Sequence, residues 1–566
     1  MITLREVRKN FTVIRFHFAY IVPVILGALF GMCSFIGRHE GKIDTQNILF
    51  YVNILFFIIV FTLMFSAIAK ASEYIHHASL EKPFTPFHKL TLKWSPRSII
   101  TLWGIVTALW IPYFIAYFPG VYWYDTSWQL MEYFDSTVPF TDHHPFMMTY
   151  LFVGFAYIGT ALFKNAIYGL YLLILMQSLL STLAIVSVVC YTSKYDVPWK
   201  CRFLILLFFA ICPIIPMMSM SLAKDTFNTP FFVFFSIAFC ELWRTQGTIL
   251  KSIPFDIFFI TNVLIVSLTK KTGLYIIVLA LFLLGCIVVK HWLYKLATIV
   301  LAGIPYLIVG IFVPTFVLPA LHISPGENSE ILAVPMQQVA NVVHNHKDDL
   351  SVSEINKIRQ IYRMNVDQLQ NAYCWYKADP IKGQELSSED KHALITIWSE
   401  QLGKHPGDMI VAWGGLSAAW FSFNVAAEGQ QNLNLLLPIN NSSHHYPGIE
   451  QYVPWTDNSK AGNAVGKFYT DTLLNVPVLN IVYQKALWAT LLPFAAIFFI
   501  LRFNRKNKLN LLMLNMPMLL TMLVLFAGPI STYSEATRYV LPMMYIVPLF
   551  LSLTLQYSQP RKSFTE

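Results

Sequence analysis

Charge is what this chain has least of. Asp, Glu, Lys and Arg together make up 13% of its 566 residues, while 56% are hydrophobic. A soluble multidomain protein carries about a quarter charged residues, so that class is excluded. Cysteine pairing is missing as well. The seven Cys (33, 190, 201, 212, 240, 286 and 374) form no CxxC pair, and all but Cys374 fall in or beside apolar runs. A disulfide framework and a thiolate metal site are therefore not expected. There is no internal repeat of fixed period, and no basic helix with base-reading residues, so neither a solenoid nor a nucleic-acid partner is indicated. The first apolar run, 16–36, lacks a small-residue cleavage site and leads straight to Gly37-Arg38-His39-Glu40. It reads as a retained anchor rather than a removed signal peptide.

What is present is apolar sequence in long stretches. Mean hydropathy is +0.53, and thirteen runs approach the length needed to cross about 30 Å of hydrocarbon. They lie near 16–36, 48–69, 98–117, 146–163, 168–191, 203–220, 226–243, 254–269, 272–289, 296–317, 481–501, 509–528 and 538–556. The chain reads as an all-α polytopic membrane protein. The formal charge of +9 sits mostly in short loops, which makes it a topology signal. With Arg5, Arg8, Lys9 and Arg15 inside and every run crossing, three basic clusters would face outward: Lys194 with Lys200 and Arg202, Lys290 with Lys295, and Arg502 with Arg505, Lys506 and Lys508. Removing one crossing before residue 194 repairs all three. The segment 146–163 is short, begins after Pro145, and is assigned as an interfacial helix that does not cross. About twelve transmembrane helices remain, with both termini cytoplasmic in the plasma (cell) membrane.

This assignment divides the chain into four parts. Residues 1–97 form an N-terminal hairpin and cytoplasmic loop, 98–317 a transmembrane module, 318–478 an extracytoplasmic and mainly helical insert, and 479–566 the C-terminal transmembrane helices. In the insert, Ser351-Val352-Ser353-Glu354 is a capping-box signature opening a helix to about Tyr373. A second helix is expected from Ser388 to Gly403-Lys404. Residues 409–425 are expected to lie on the membrane as a helix, and 426–470 to form an ordered loop over the site.

The chemistry concentrates in residues 118–145, an acidic and aromatic loop in an otherwise basic chain. Ionisable groups held against a bilayer are costly and usually handle a substrate. Asp125 is flanked by Tyr122, Trp123, Tyr124 and Trp128, an amphipathic belt that would desolvate the carboxylate partly and make it a better base. Asp142-His143-His144-Pro145 has two readings: with Asp125 it could hold a divalent metal (Mg or Mn) through Asp142 and His144, or it could cap the helix that follows. Asp225 could likewise cap the helix after it or act in the site. Glu132 and Asp135 read as surface groups on a short helix. Lys224, Lys270, Lys271 and Arg538 all fall on the face that carries the acidic loop, against the positive-inside trend. Snorkelling explains any one of them, but an anionic ligand explains the group.

The order of these features resembles the GT-C class of polytopic membrane glycosyltransferases, in the branch of the protein O-mannosyltransferases and aminoarabinose transferases. The features are an outward loop with Asp125 and His144–Pro145, then SLAKDTFNTPFFVFF, LTKKTGLYIIVLALFLLG and ATRYVLPMM. The resemblance covers residues 98–317 and 509–556. It implies transfer of one sugar from a polyprenyl-phosphate donor to an extracytoplasmic glycan, lipid or protein acceptor, with the bilayer as a further partner. It also implies Asp125 as catalytic base, Asp225 as a second catalytic acidic residue, and Lys224, Lys270, Lys271 and Arg538 on the donor phosphate. Tyr124, Trp128, His143, His144 and Tyr539 would position substrate. Where the mannosyltransferases carry Asp-Glu, this chain has Asp125-Thr126. A transporter or flippase of lipid-linked saccharides, or a surface-polysaccharide polymerase or ligase, would need similar cations.

Overall fold

The computed structural model describes residues 18–558 apart from 44–45, 78–81, 327–328, 384, 424, 428–432, 440–444, 504–506 and 529–535. The basic N-terminal cluster Arg5–Arg15, together with Arg505 and Lys506, lies outside the described residues. Among the described residues the fold is all-α apart from one two-residue parallel pairing, β1 (Val121–Tyr122) with β2 (Ser221–Leu222), and two isolated bridges, Thr141 with Ser324 and Leu435 with Gln484. Among the described residues eight helices are long and apolar enough to cross a membrane, nine if the bent pair Lys508–Leu514 and Met516–Ala527 counts as one span. Three more apolar helices are shorter: Ile253–Thr269, Lys271–Ile287 and Leu487–Phe503. This is a multi-pass membrane protein.

The first two helices, α1 (Ile21–Arg38) and α2 (Ile48–His77), pack through Gly27 and Gly31, a small-xxx-small pair that lets backbones touch. A Cβ on Gly31 would sit 2.4 Å from the Ile54 Cα, and one on Gly27 2.5 Å from the Ile58 Cα. Asn53 of α2 fastens the crossing, donating to the Gly31 carbonyl at 2.6 Å and to Ser34 Oγ at 3.0 Å.

The next elements position the site: α3 (Pro96–Ala116), α4 (Tyr124–Phe134), α5 (Phe146–Phe163) and α6 (Ala166–Tyr191). Helices α3 and α6 run antiparallel, since Trp103 Nε1 donates to the Leu179 carbonyl at 3.0 Å and the Tyr171 hydroxyl to the Phe114 carbonyl at 2.7 Å. The start of α6 therefore lies beside the end of α3. By length and apolarity α5 is one of the eight helices able to cross, yet it starts next to the acidic loop and ends where α6 starts. It packs tightly on α6, where a Cβ on Gly159 would sit 2.4 Å from the Gly169 nitrogen. Beyond α6, Lys194 pairs with Glu241 at 2.8 Å and the Tyr195 hydroxyl donates to the Cys240 carbonyl. Those partners close the far end of the helix that begins at Lys224, which spans roughly 33 Å. Lys194 and the acidic loop thus occupy opposite ends of the bundle.

After α7 (Trp199–Ile211) and α8 (Ile214–Ser219) come α9 (Lys224–Thr245), α10 (Ile253–Thr269), α11 (Lys271–Ile287) and α12 (Trp292–Pro305). The insert has its own core, built by Met336 and Val339 of α13 (Ala333–His346), Ile358, Ile361 and Tyr362 of α14 (Val352–Tyr362), Leu369 of α15 (Val366–Ala372), and Leu394 and Ile397 of α16 (Ser388–Lys404). Both halves of the Ser351–Glu354 capping box are made. The helix expected to run on to Tyr373 breaks instead at Arg363, whose φ of 54° ends α14, and restarts behind Asn365. The segment 409–425 also differs from expectation. It forms α17 (Pro406–Leu416) and then turns, with Ser417 through Ser422 fully buried and the Phe421 ring against Phe30 and Phe526. Six small or aromatic residues in a row can fill a gap between helices, and here they do so rather than lie on a surface. The C-terminal helices are α18 (Leu492–Phe503), α19 (Lys508–Leu514), α20 (Met516–Ala527) and α21 (Thr537–Ser558).

Candidate functional site

Five separate elements converge on one cavity of about 700 Å³. The β1–β2 pairing sets α4 and α9 side by side, so that Asp125, in the first turn of α4, faces Lys224 and Asp225 at the start of α9. The break between α10 and α11 supplies Lys270 and Lys271, and the first turn of α21 supplies Arg538 and Tyr539. All of these line the cavity, as do Tyr124, Trp128, His143 and His144.

Asp125 Oδ2 lies 2.5 Å from Arg538 Nη1, 3.8 Å from Lys224 Nζ and 4.0 Å from His144 Nε2. Asp225 is fully buried, with Lys270 Nζ at 2.7 Å and Arg538 Nε at 3.7 Å. It does not cap α9; the Thr226 hydroxyl serves the Ala223 N–H there. The innermost ring is thus two carboxylates among three cations, Lys224, Lys270 and Arg538. The Arg538 guanidinium lies between the Trp123 and Tyr539 rings, 5.2 and 5.1 Å from their centroids. Such stacking holds a planar cation in place without neutralising it.

The titration states follow from this ring. Burial alone would raise Asp125, but Arg538, His144 and Lys224 hold its carboxyl well below the usual carboxylate range. The desolvated, stronger base expected from the aromatic belt is not what the resting site contains, because the cations outweigh the loss of water. Burial, followed by the Lys224 charge, pushes both His143 and His144 down. His144 is held by Lys224, whose ammonium donates to Nδ1 at 2.6 Å, and His143 stacks on Trp128 at 5.3 Å.

Two further expectations are corrected. Asp125, Asp142 and His144 do not converge as metal ligands: Lys271 draws Asp142 away at 3.0 Å, and Arg538 holds Asp125. Asp142 instead accepts from the Phe146 N–H at 3.2 Å, which is the capping alternative. Glu132 is not a surface group. It is buried behind the loop, accepts from the Thr141 hydroxyl at 2.7 Å, and is pushed up to about 7 by burial. Asp135 does lie near the surface, bonded to Thr137.

Sequence reasoning missed the insert's share of the site. Lys377, Asp379 and Lys382 line the cavity with Glu330, and Lys382 is clamped by Glu330 and by Asp379 at 3.0 Å. Trp420, delivered by the buried turn after α17, adds an indole edge. The YKADPIKG stretch carries ordinary surface charge density, so no local signal marks it. Described parts of 426–470 pack on the acidic loop: the Tyr446 N–H donates to Ser127 Oγ at 2.8 Å, and Tyr452 stacks on Phe134. Away from the charges, the walls are apolar. Phe232 of α9, Ile276 of α11, Val524 and Leu525 of α20 and Pro542 of α21 extend the cavity between helices of membrane type.

The profile of a family of unknown function, DUF6020, matches residues 133–565, and the chain belongs to that family. The match takes in every cavity residue named above except Tyr124, Asp125 and Trp128, which lie just ahead of it. No match was found among curated proteins or among solved structures.

Proposed function

We propose that this protein is a membrane glycosyltransferase of the GT-C type, moving a sugar from a polyprenyl-phosphate donor to a hydroxyl of a glycan, lipid or protein at the outer face of the cell membrane. About twelve crossings with both termini cytoplasmic would place the cavity and the insert outside. The observation that carries the reading is the amphiphilic cavity. A charged end built from Asp125, Asp225, Lys224, Lys270 and Arg538 continues into apolar walls on α9, α11, α20 and α21. A lipid phosphate has the same two-part character, with an anion to place among the cations and a chain to lay against Phe232, Ile276 and Leu525.

In the reaction the acceptor oxygen attacks the anomeric carbon as the bond to the phosphate oxygen breaks. The hydroxyl proton passes to Asp125, and the electron pair leaves with the lipid phosphate, whose added charge Lys224, Lys270 and Arg538 stabilise. Donor binding prepares the base, because a phosphate that takes up Arg538 and Lys224 relieves Asp125 of the cations that depress it. Single displacement inverts the anomeric centre. No step requires a metal at Asp142 and His144.

The resting clamp on Asp125 favours one second reading, a transporter or flippase in which the same cations only hold lipid phosphate. Incubating the purified protein with a panel of polyprenyl-phosphate sugars and following released polyprenyl phosphate separates the two. Release that is lost in Asp125→Asn supports transfer. No release from any donor, or release unchanged in the variant, overturns it.

A further inference from the structure

Outside the cavity, two helix ends of the insert meet and bring three metal-ligating side chains together. His346 is the last residue of α13; His405 immediately precedes α17, and Asp408 lies in its first turn. His346 Nε2 is 3.2 Å from Asp408 Oδ2, and the His346 and His405 rings lie face to face with centroids 4.1 Å apart. One ligand atom from each residue falls within 4.8 Å of the other two. We propose that His346, His405 and Asp408 form a binding site for a divalent transition metal, with zinc the first candidate. Two imidazoles and one carboxylate are the donor set that zinc takes with a position left for water.

The neighbours support the assignment more than the three residues do alone. Ligating groups are normally oriented by hydrogen bonds on their far side. His346 turns Nε2 toward the site while its Nδ1 faces the Asp349 carboxylate at 3.5 Å, the carboxylate–histidine arrangement that fixes a ligating ring. Asp408 turns Oδ2 toward the site while Oδ1 accepts from the Asn345 amide at 2.7 Å. Its main chain is fixed as well, because Asn341 Nδ2 donates to the Asp408 carbonyl at 2.8 Å. The separation of His346 Nε2 and Asp408 Oδ2 also suits a metal, since ligand atoms of a tetrahedral site with bonds of ~2.0–2.1 Å lie ~3.3 Å apart. Binding replaces the proton shared by these two atoms with the metal and brings His405 in as the third ligand.

The site's place in the fold gives it a task. It ties α13, the central helix of the insert core, to α17, which runs into the buried turn carrying Trp420 to the cavity wall. The metal acts as a structural clip between the insert and the segment that builds the reaction chamber, remote from Asp125.

Titrating the purified full-length protein with Zn²⁺ in a calorimeter tests this. One saturable equivalent is expected, weakened at least tenfold in His405→Ala and in Asp408→Asn but unchanged in His322→Ala. Titration of the unaltered protein with Co²⁺ gives a readout that no variant can confound. The visible band of a four-coordinate nitrogen and oxygen site should grow to one equivalent, with no sulfur-to-metal band from Cys286 or Cys374. Absence of saturable binding, a thiolate spectrum, or equal affinity in the His405 and Asp408 variants overturns the site.

Discussion

Asp125 and Arg538 are 413 positions apart in sequence, and their side chains meet at 2.5 Å. The first turn of the last helix therefore closes a site opened by the first acidic loop. Arg538 also reaches Asp225, so one guanidinium links both carboxylates. Replacing Asp125 with Asn keeps the side chain's size and leaves Arg538 its second partner. We expect a folded protein that has lost roughly 10²–10⁴-fold in transfer rate, the contribution of a positioned base. Rate and melting temperature measured on the same preparation check this.

The Lys270–Asp225 pair separates a structural charge from a functional one. Asp225 is fully buried, and removing its closest cation leaves a carboxylate with no ion-pair partner nearer than Arg538, at 3.7 Å, and the weaker field of Lys224. Lys270→Met should destabilise the protein by about 3–5 kcal/mol, the usual cost of orphaning one member of a buried pair. The double variant Lys270→Met/Asp225→Asn should recover most of that stability, because both charges are gone. It should not recover activity if Lys270 serves the leaving phosphate. Thermal melts and polyprenyl-phosphate release, measured on all three variants, distinguish the two roles.

The parts of the molecule that were legible in the sequence are those where local pattern and global fold coincide. Apolar runs announce helices, and the Ser351–Glu354 box announces the start of α14, because each signal acts within a few residues. Charge sidedness pointed to Asp125, Lys224, Lys270, Lys271 and Arg538 as residues of one face, and the structure lines one cavity with them. What stayed hidden depends on contacts between distant segments. The basicity of Asp125 is set by Arg538, Lys224 and His144, and no window of sequence contains all four. The burial of Glu132 needs the Thr141 strap across it. The turn 417–422 looked like a surface helix because apolar residues facing lipid and apolar residues facing protein read alike. Gly27 and Gly31 did carry a local signal, a pair spaced by three residues, which apolarity alone overlooks.

Glu132 predicts a pH dependence of stability with a definite sign. Its ordinary value is 4.5, and burial raises it to about 7 in the folded protein. The folded state thus holds a proton that the unfolded chain has already lost between those values. Its stabilising contribution is complete below about 4.5 and disappears as pH rises through about 7. Thermal melts should fall between pH 5 and 8 in the unaltered protein, and Glu132→Gln, which keeps the neutral form, should flatten that slope. Equal slopes in both proteins would show that Glu132 is ionised throughout.

The α1–α2 crossing gives a prediction independent of the site. A side chain on Gly31 meets the backbone of Ile54, 2.4 Å away, and backbone cannot step aside as a flexible side chain can. Leu at this position must separate the helices, which also breaks the Asn53 bonds to the Gly31 carbonyl and Ser34. Overpacking typically costs about 1–3 kcal/mol, and the lost hydrogen bonds add to it. Ile25, on the same helix but 47% exposed, gives the control, since Ile25→Leu changes no contact of this kind. Gly31→Leu should therefore lower the melting temperature and open the 39–47 connection to protease, with Ile25→Leu resembling the unaltered protein. Asn53→Leu should show a smaller effect of the same sign, because it removes the clasp while leaving the close approach intact. If Gly31→Leu melts no earlier than Ile25→Leu, the two helices are not held together at this crossing.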